Sequence, residues 1–124
     1  MDDCIFCKDF DSYVKLYEDE TWIVVEDKFP VSKGHTLIIP KRHCETFFDL
    51  NYEESVTLPM ILSIAKEILK GKYNPQGYNI GANCGTVAGQ TIHHCHIHLI
   101  PRYEGDVENP RGGVRGCIPS RMNY

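Results

Sequence analysis

Four of the chain's six histidines fall between positions 93 and 98, and three of them, His94, His96 and His98, alternate with Cys95, Ile97 and Leu99. Successive strand residues point to opposite faces, so extended backbone here sets three imidazoles on one side and an apolar set on the other. A helix would bring His94 and His98 together and turn His96 away. The alternation therefore specifies a strand, with its apolar face in a core and its imidazole face lining a site. Pro101 cannot donate to a ladder and is expected at the strand's end.

Three neighbouring imidazoles can share a metal, carry acid–base and nucleophilic chemistry, or form an incidental polar face. A shared metal is the weaker chemistry, since no carboxylate interrupts the run. Upstream, Asn83-Cys84-Gly85-Thr86-Val87-Ala88-Gly89-Gln90-Thr91 is rich in Gly and small polar residues. Such a loop brings backbone N–H groups and hydroxyls close to a phosphate. A phosphate cradle leading into an imidazole face points to attack on phosphorus.

Gly89-Gln90-Thr91 followed by His94-x-His96-x-His98 resembles the signature of the histidine triad (HIT) superfamily of nucleotide hydrolases and transferases. The resemblance runs from about Cys4 to Asp106. It includes Asp27, Gly34-His35-Thr36-Leu37-Ile38-Ile39-Pro40 and Asn83, at the places of the family's ribose-binding residue, core strand and phosphate-proximal amide. Cys95 stands where an aliphatic spacer is usual, and His93 adds a fourth imidazole. The resemblance implies an α+β fold, with an antiparallel sheet of about five strands, one long helix and one short one, paired as a homodimer. The HIT domain is expected over 1–106, with 107–124 as a C-terminal tail.

The resemblance also implies roles. His96 is the expected nucleophile, attacking an α-phosphate to form a nucleotidyl-histidine that water then releases as a nucleoside monophosphate. A free imidazole has a pKa of ~6.5 and is available as the base at neutral pH. Its other nitrogen is expected to donate to a backbone carbonyl. His98 is expected on the phosphoryl oxygens, with Gln90, Thr91, Gly89 and Asn83 around the phosphate and leaving group. Asp27 is expected on the ribose of a purine nucleotide. Phe6, Leu37 and Val25 are candidate nucleobase walls, although core packing explains each equally well. His35 is expected to orient a neighbouring histidine. Pro101-Arg102-x-x-Gly105-Asp106 resembles the fragile-histidine-triad branch and tilts the substrate from an adenosine phosphoramidate toward diadenosine tetraphosphate, with Mg²⁺ on the polyphosphate. Arg111 and Arg115 then become candidate phosphate contacts. A nucleotide-binding regulator with negligible turnover and a metalloenzyme using the whole triad are the alternatives.

Cys4-Ile5-Phe6-Cys7 is a C-x2-C pair whose sulfurs can clasp one tetrahedral zinc with two further ligands. His43 and His94 are the candidates, with His35 and His93 as replacements. Some HIT proteins look like this one, and the resemblance implies a structural zinc on Cys4, Cys7, His43 and His94. With no secretory leader, the six cysteines are expected as free thiols or metal ligands in a cytoplasmic protein. The net charge of −4 argues against a general nucleic-acid-binding face, and no apolar run approaches the ~20 residues of a membrane helix.

Elsewhere, Ser12 to Asp27 reads as a hairpin and His35 to Pro40 as a short strand. A helix is expected from N-cap Asn51, with Glu54 at N3, a kink at Pro59 and an end at Lys70-Gly71. Tyr78 to Asn83 reads as the strand entering the phosphate loop. Tyr103 to Tyr124, rich in Gly, Pro and Arg, is expected either disordered or packed across a partner subunit.

Overall fold

A computed structural model describes residues 4–124. The strands are β1 (Lys15–Glu18), β2 (Trp22–Glu26), β3 (Thr36–Pro40), β4 (Gly77–Gly81) and β5 (Ile97–Arg102). They form one antiparallel sheet in the order β1-β2-β3-β5-β4. A single turn of helix, α1 (Ile5–Lys8), precedes the sheet, and the 22-residue α2 (Tyr52–Tyr73) lies between β3 and β4 in sequence.

β2 and β3 are buried along nearly their whole length because they are covered on both faces. One face, with Trp22, Val24, Ile38, Ile97 and Leu99, packs on Leu58, Ile61, Ala65 and Leu69 of α2. The other, with Ile23, Val25, Leu37 and Ile39, packs on Phe6. Fully burying such side chains stabilises the fold by about 1.5–3 kcal/mol each. Trp22 Nε1 also donates to Thr57 Oγ1 at 2.9 Å, tying the sheet to α2.

The helix begins as its sequence indicates. Asn51 Oδ1 accepts from Glu54 N, and Glu54 Oε1 accepts from Asn51 N, each at 2.8 Å. Glu54 is buried and also receives Nε and Nη2 of Arg42 at 3.1 and 2.9 Å. The helix passes unbroken through Pro59 and beyond Lys70-Gly71. The end expected there is corrected to Asn74, which takes the left-handed conformation (φ 53°) that glycine was expected to supply. Gly34 does need to be glycine: its φ is +88°, and a Cβ would sit 2.8 Å from the Tyr73 ring at the end of α2.

The histidine run departs from expectation in one respect. β5 starts at Ile97 rather than His94, because β3 pairs with it only over Thr36–Ile38. Before that, Cys95 N–H donates to the Cys44 carbonyl at 2.7 Å instead of to a strand. The facing still alternates: Cys95, Ile97 and Leu99 are buried toward α2. Pro101 lies inside β5, opposite Tyr78. Its carbonyl accepts from Ser32 Oγ at 2.7 Å. A strand residue's N and C=O point to the same neighbour, so its missing N–H falls where β3 has already ended.

After β5 the chain folds back in two 3₁₀ turns, Gly113–Cys117 and Pro119–Arg121, the first against β4. No helix among the described residues is long and apolar enough to cross a membrane.

Candidate functional site

β5 delivers His98 between Leu37 of β3 and Gly81 of β4, and the segment before it delivers His96. His96 Nδ1 lies 2.8 Å from the His94 carbonyl. A carbonyl only accepts, so Nδ1 carries the proton and Nε2 keeps its lone pair. The ring packs edge-on against Phe6, with centroids 5.2 Å apart. These two contacts fix the nitrogen that is free to attack.

His98 is oriented by a second chain of bonds. Val31 N–H donates to His35 Nδ1 at 3.1 Å, so His35 holds its proton on Nε2. That nitrogen lies 2.9 Å from His98 Nδ1. His98 therefore accepts on Nδ1 and presents an Nε2–H donor. Burial pushes its pKa down to about 4, aided by His96 and His35 and opposed by Asp27. Burial also lowers the pKa of His35, against the pull of Asp27. Asp27 Oδ2 stands 3.4 Å from His35 Nε2, while its Oδ1 accepts from Phe29 N–H at 2.8 Å. Asp27, His35 and His98 cluster closely enough to suggest a metal. The tautomer argues against one, since His35 Nε2 offers a proton there rather than a lone pair.

A cavity of about 440 Å³ opens in front of His96. Phe6, Asp27, Leu37, Asn83, Gly89, Thr91 and His98 line it, as expected of binding residues. Val25 and Gln90 do not. Val25 is packed in the layer with Phe6. Gln90 is buried, its Oε1 accepting from Gly85 N–H at 2.8 Å and its Nε2 donating to the carbonyls of Glu45 and Ile92 at 2.7 and 3.1 Å. It braces the loop instead of facing a ligand. Tyr13, Lys28 and Phe29 also line the cavity and were missed. Only Phe29, an apolar residue in a polar loop beside Asp27, left a signal in the sequence.

The second cluster lies behind Phe6. His94 Nδ1 is 3.4 Å from Cys4 Sγ and 3.6 Å from Cys7 Sγ, and His43 Nδ1 is 3.2 Å from Cys7 Sγ. All four donor atoms lie within 4.8 Å of one another. A tetrahedral zinc sets S···N separations of about 3.5 Å, so the spacing fits that ion. His94 Nε2–H donates to the Pro40 carbonyl at 2.7 Å, which aims Nδ1 at the sulfurs. The two replacement ligands are elsewhere: His93 is exposed facing Glu45, and His35 is in the His98 chain.

The arginines expected near polyphosphate are engaged. Arg111 and Arg115 stack on the Tyr124 ring, at 4.9 and 4.7 Å. Arg102 donates to Asp106 at 2.7 and 3.0 Å and to Asn79 Oδ1 at 2.7 Å.

The sequence matches the model of the HIT domain over residues 11–105. An uncharacterised HIT-like protein of Methanocaldococcus jannaschii is 44% identical over 108 residues, covering 85% of this chain and 83% of that protein. An adenylylsulfatase of Arabidopsis thaliana is 40% identical over 112 residues, covering 86% and 55%. The crystal structure of a HIT family protein from Bacillus anthracis superposes with a TM-score of 0.78 at 42% identity, covering 85% of this chain and 77% of the other. A zinc-bound histidine triad family protein from Mycobacterium smegmatis superposes with a TM-score of 0.77 at 31% identity, covering 86% and 80%. With these matches, a five-stranded antiparallel sheet and the triad set before a cavity, the chain belongs to the HIT domain family.

Proposed function

We propose that this protein is a nucleotide hydrolase or nucleotidyl transferase that acts at an α-phosphate through His96. The observation that carries the reading is the His96 Nδ1–His94 carbonyl bond, which leaves Nε2 as a lone pair facing the cavity. In the first half-reaction Nε2 bonds to phosphorus and the leaving group departs. In the second, water attacks and a nucleoside monophosphate leaves. His98 Nε2–H stabilises the phosphoryl oxygens, with Asn83, Gly89 and Thr91 on the loop opposite. Asp27 takes the ribose hydroxyls of a purine nucleotide, and Phe6 and Leu37 wall the base. The HIT family and the activity named for the Arabidopsis relative support this class of chemistry.

Cys4, Cys7, His43 and His94 would hold a zinc ion that ties the N-terminal segment to the residue before the nucleophile. Four protein donors leave it no open position, so it supplies stability and not a Lewis acid. We further propose a homodimer, which sedimentation would test.

The test is rapid quenching with α-labelled adenosine phosphoramidate and with diadenosine tetraphosphate. Label should reach the peptide containing His96 before AMP accumulates, and His96→Ala should form neither adduct nor AMP while remaining folded. Full activity in His96→Ala would require another nucleophile. Binding with no AMP from either substrate would leave a regulatory nucleotide-binding protein.

A further inference from the structure

We infer that the leaving group departs into a second cavity, walled by the C-terminal segment, which selects an uncharged, apolar leaving group over a polyphosphate. The inference rests on attack by His96 at the α-phosphate. The second cavity, of about 360 Å³, lies between β4, β5 and the turn at 113–117, with Ile80, Ile100, Val114 and Cys117 on its walls. Asn83 and His98 line both cavities, whereas His96 lines only the first. A phosphorus held at that junction has the nucleophile on one side and the second cavity on the other, as in-line displacement demands.

The wall chemistry sets the preference. No lysine or arginine lines this cavity. Arg115 is turned away, its Nε and Nη2 donating to the carbonyls of Met122 and Arg121 at 3.3 and 2.9 Å, and Arg111 shares the Tyr124 ring with it. Arg102, farther along β5, is spent on Asp106 and Asn79. A chain of phosphates leaving in this direction would meet no free cation, in a protein of net charge −4. An apolar amine instead buries its carbon skeleton against Ile80, Ile100 and Val114.

For a phosphoramidate the step balances simply. The His96 Nε2–P bond forms, the P–N bond breaks, and the departing nitrogen takes a proton from water to leave as the amine. The water that attacks next gives its oxygen to phosphorus and returns one proton to solvent.

The experiment compares kcat/KM for AMP release from three donors: adenosine 5′-phosphoramidate, its N-benzyl derivative and diadenosine tetraphosphate with Mg²⁺. Wild type is set beside Val114→Asp, a position that is 61% exposed and so tolerates the change without unfolding. The N-benzyl compound should exceed the tetraphosphate by about tenfold or more, and Val114→Asp should lower the ratio of N-benzyl to unsubstituted phosphoramidate by a similar factor. A tetraphosphate rate equal to or above the N-benzyl rate, or an unchanged ratio in the variant, overturns the cavity's role. If AMP still forms from the unsubstituted compound, the reading of His96 survives that result. No AMP from any donor overturns both.

Discussion

His35 Nε2 and His98 Nδ1 lie 2.9 Å apart, joining residues 63 positions apart into one proton chain that Val31 N–H closes at the far end. The chain decides which nitrogen of His98 faces phosphate. Replacing His35 by alanine frees His98 to adopt the other tautomer, with an acceptor where a donor is needed. The expected result is a fall in kcat on the order of 10²-fold, with KM nearly unchanged. His35→Gln, whose amide N–H can still donate to Nδ1, should recover part of the loss. Equal kcat in wild type and His35→Ala would sink this assignment.

The same pair predicts a pH dependence of stability. Its pKa values in the folded protein are lowered by burial, that of His98 from 6.5 to about 4. As pH falls below 6.5 the unfolded chain takes up these protons before the folded one does. The stabilisation is therefore complete above pH 6.5 and is lost as pH drops toward 4. Thermal unfolding of wild type should show Tm flat above neutrality and falling through that window. His98→Asn should fall less steeply, and parallel curves for the two proteins would contradict the argument.

Metal analysis separates the two histidine clusters. The purified protein should carry one zinc per chain, and Cys4→Ala should lose it together with more than about 5 °C of Tm. His96→Ala should keep the metal while losing activity. Zinc that followed His96 rather than Cys4 would return the triad to the role of metal ligands.

Gln90 offers a contrast between bracing and binding. Gln90→Ala leaves Gly85 N–H and the carbonyls of Glu45 and Ile92 without their partner. Urea unfolding should show a loss of about 1–3 kcal/mol. A residue that merely touched the phosphate would lower activity and leave the unfolding midpoint in place.

What the chain disclosed in advance was periodic or local. The two-residue period of the histidine run, the Asn51–Glu54 cap and the short C-x2-C spacing are each readable because their partners are close in sequence. The start of β5 at Ile97 was hidden, because it depends on where β3 stops and on Cys44 offering a carbonyl to Cys95. The end of α2 was misplaced because Gly71 has a strong local signal, while Asn74 can take the same left-handed role. Gln90 was assigned to the phosphate on its place in a motif. Its actual partners, especially Glu45, come from a segment that no spacing rule connects to it. The withdrawal of Arg111 and Arg115 likewise depends on Tyr124 returning to meet them.

His94 gives its ring nitrogen to the cysteines and its carbonyl to His96. Only that residue's covalent frame separates the two tasks, with no hinge between them to absorb a displacement. Oxidising the thiols would therefore be felt at phosphorus as an error of aim, even though every group that touches the nucleotide would still be present and chemically intact.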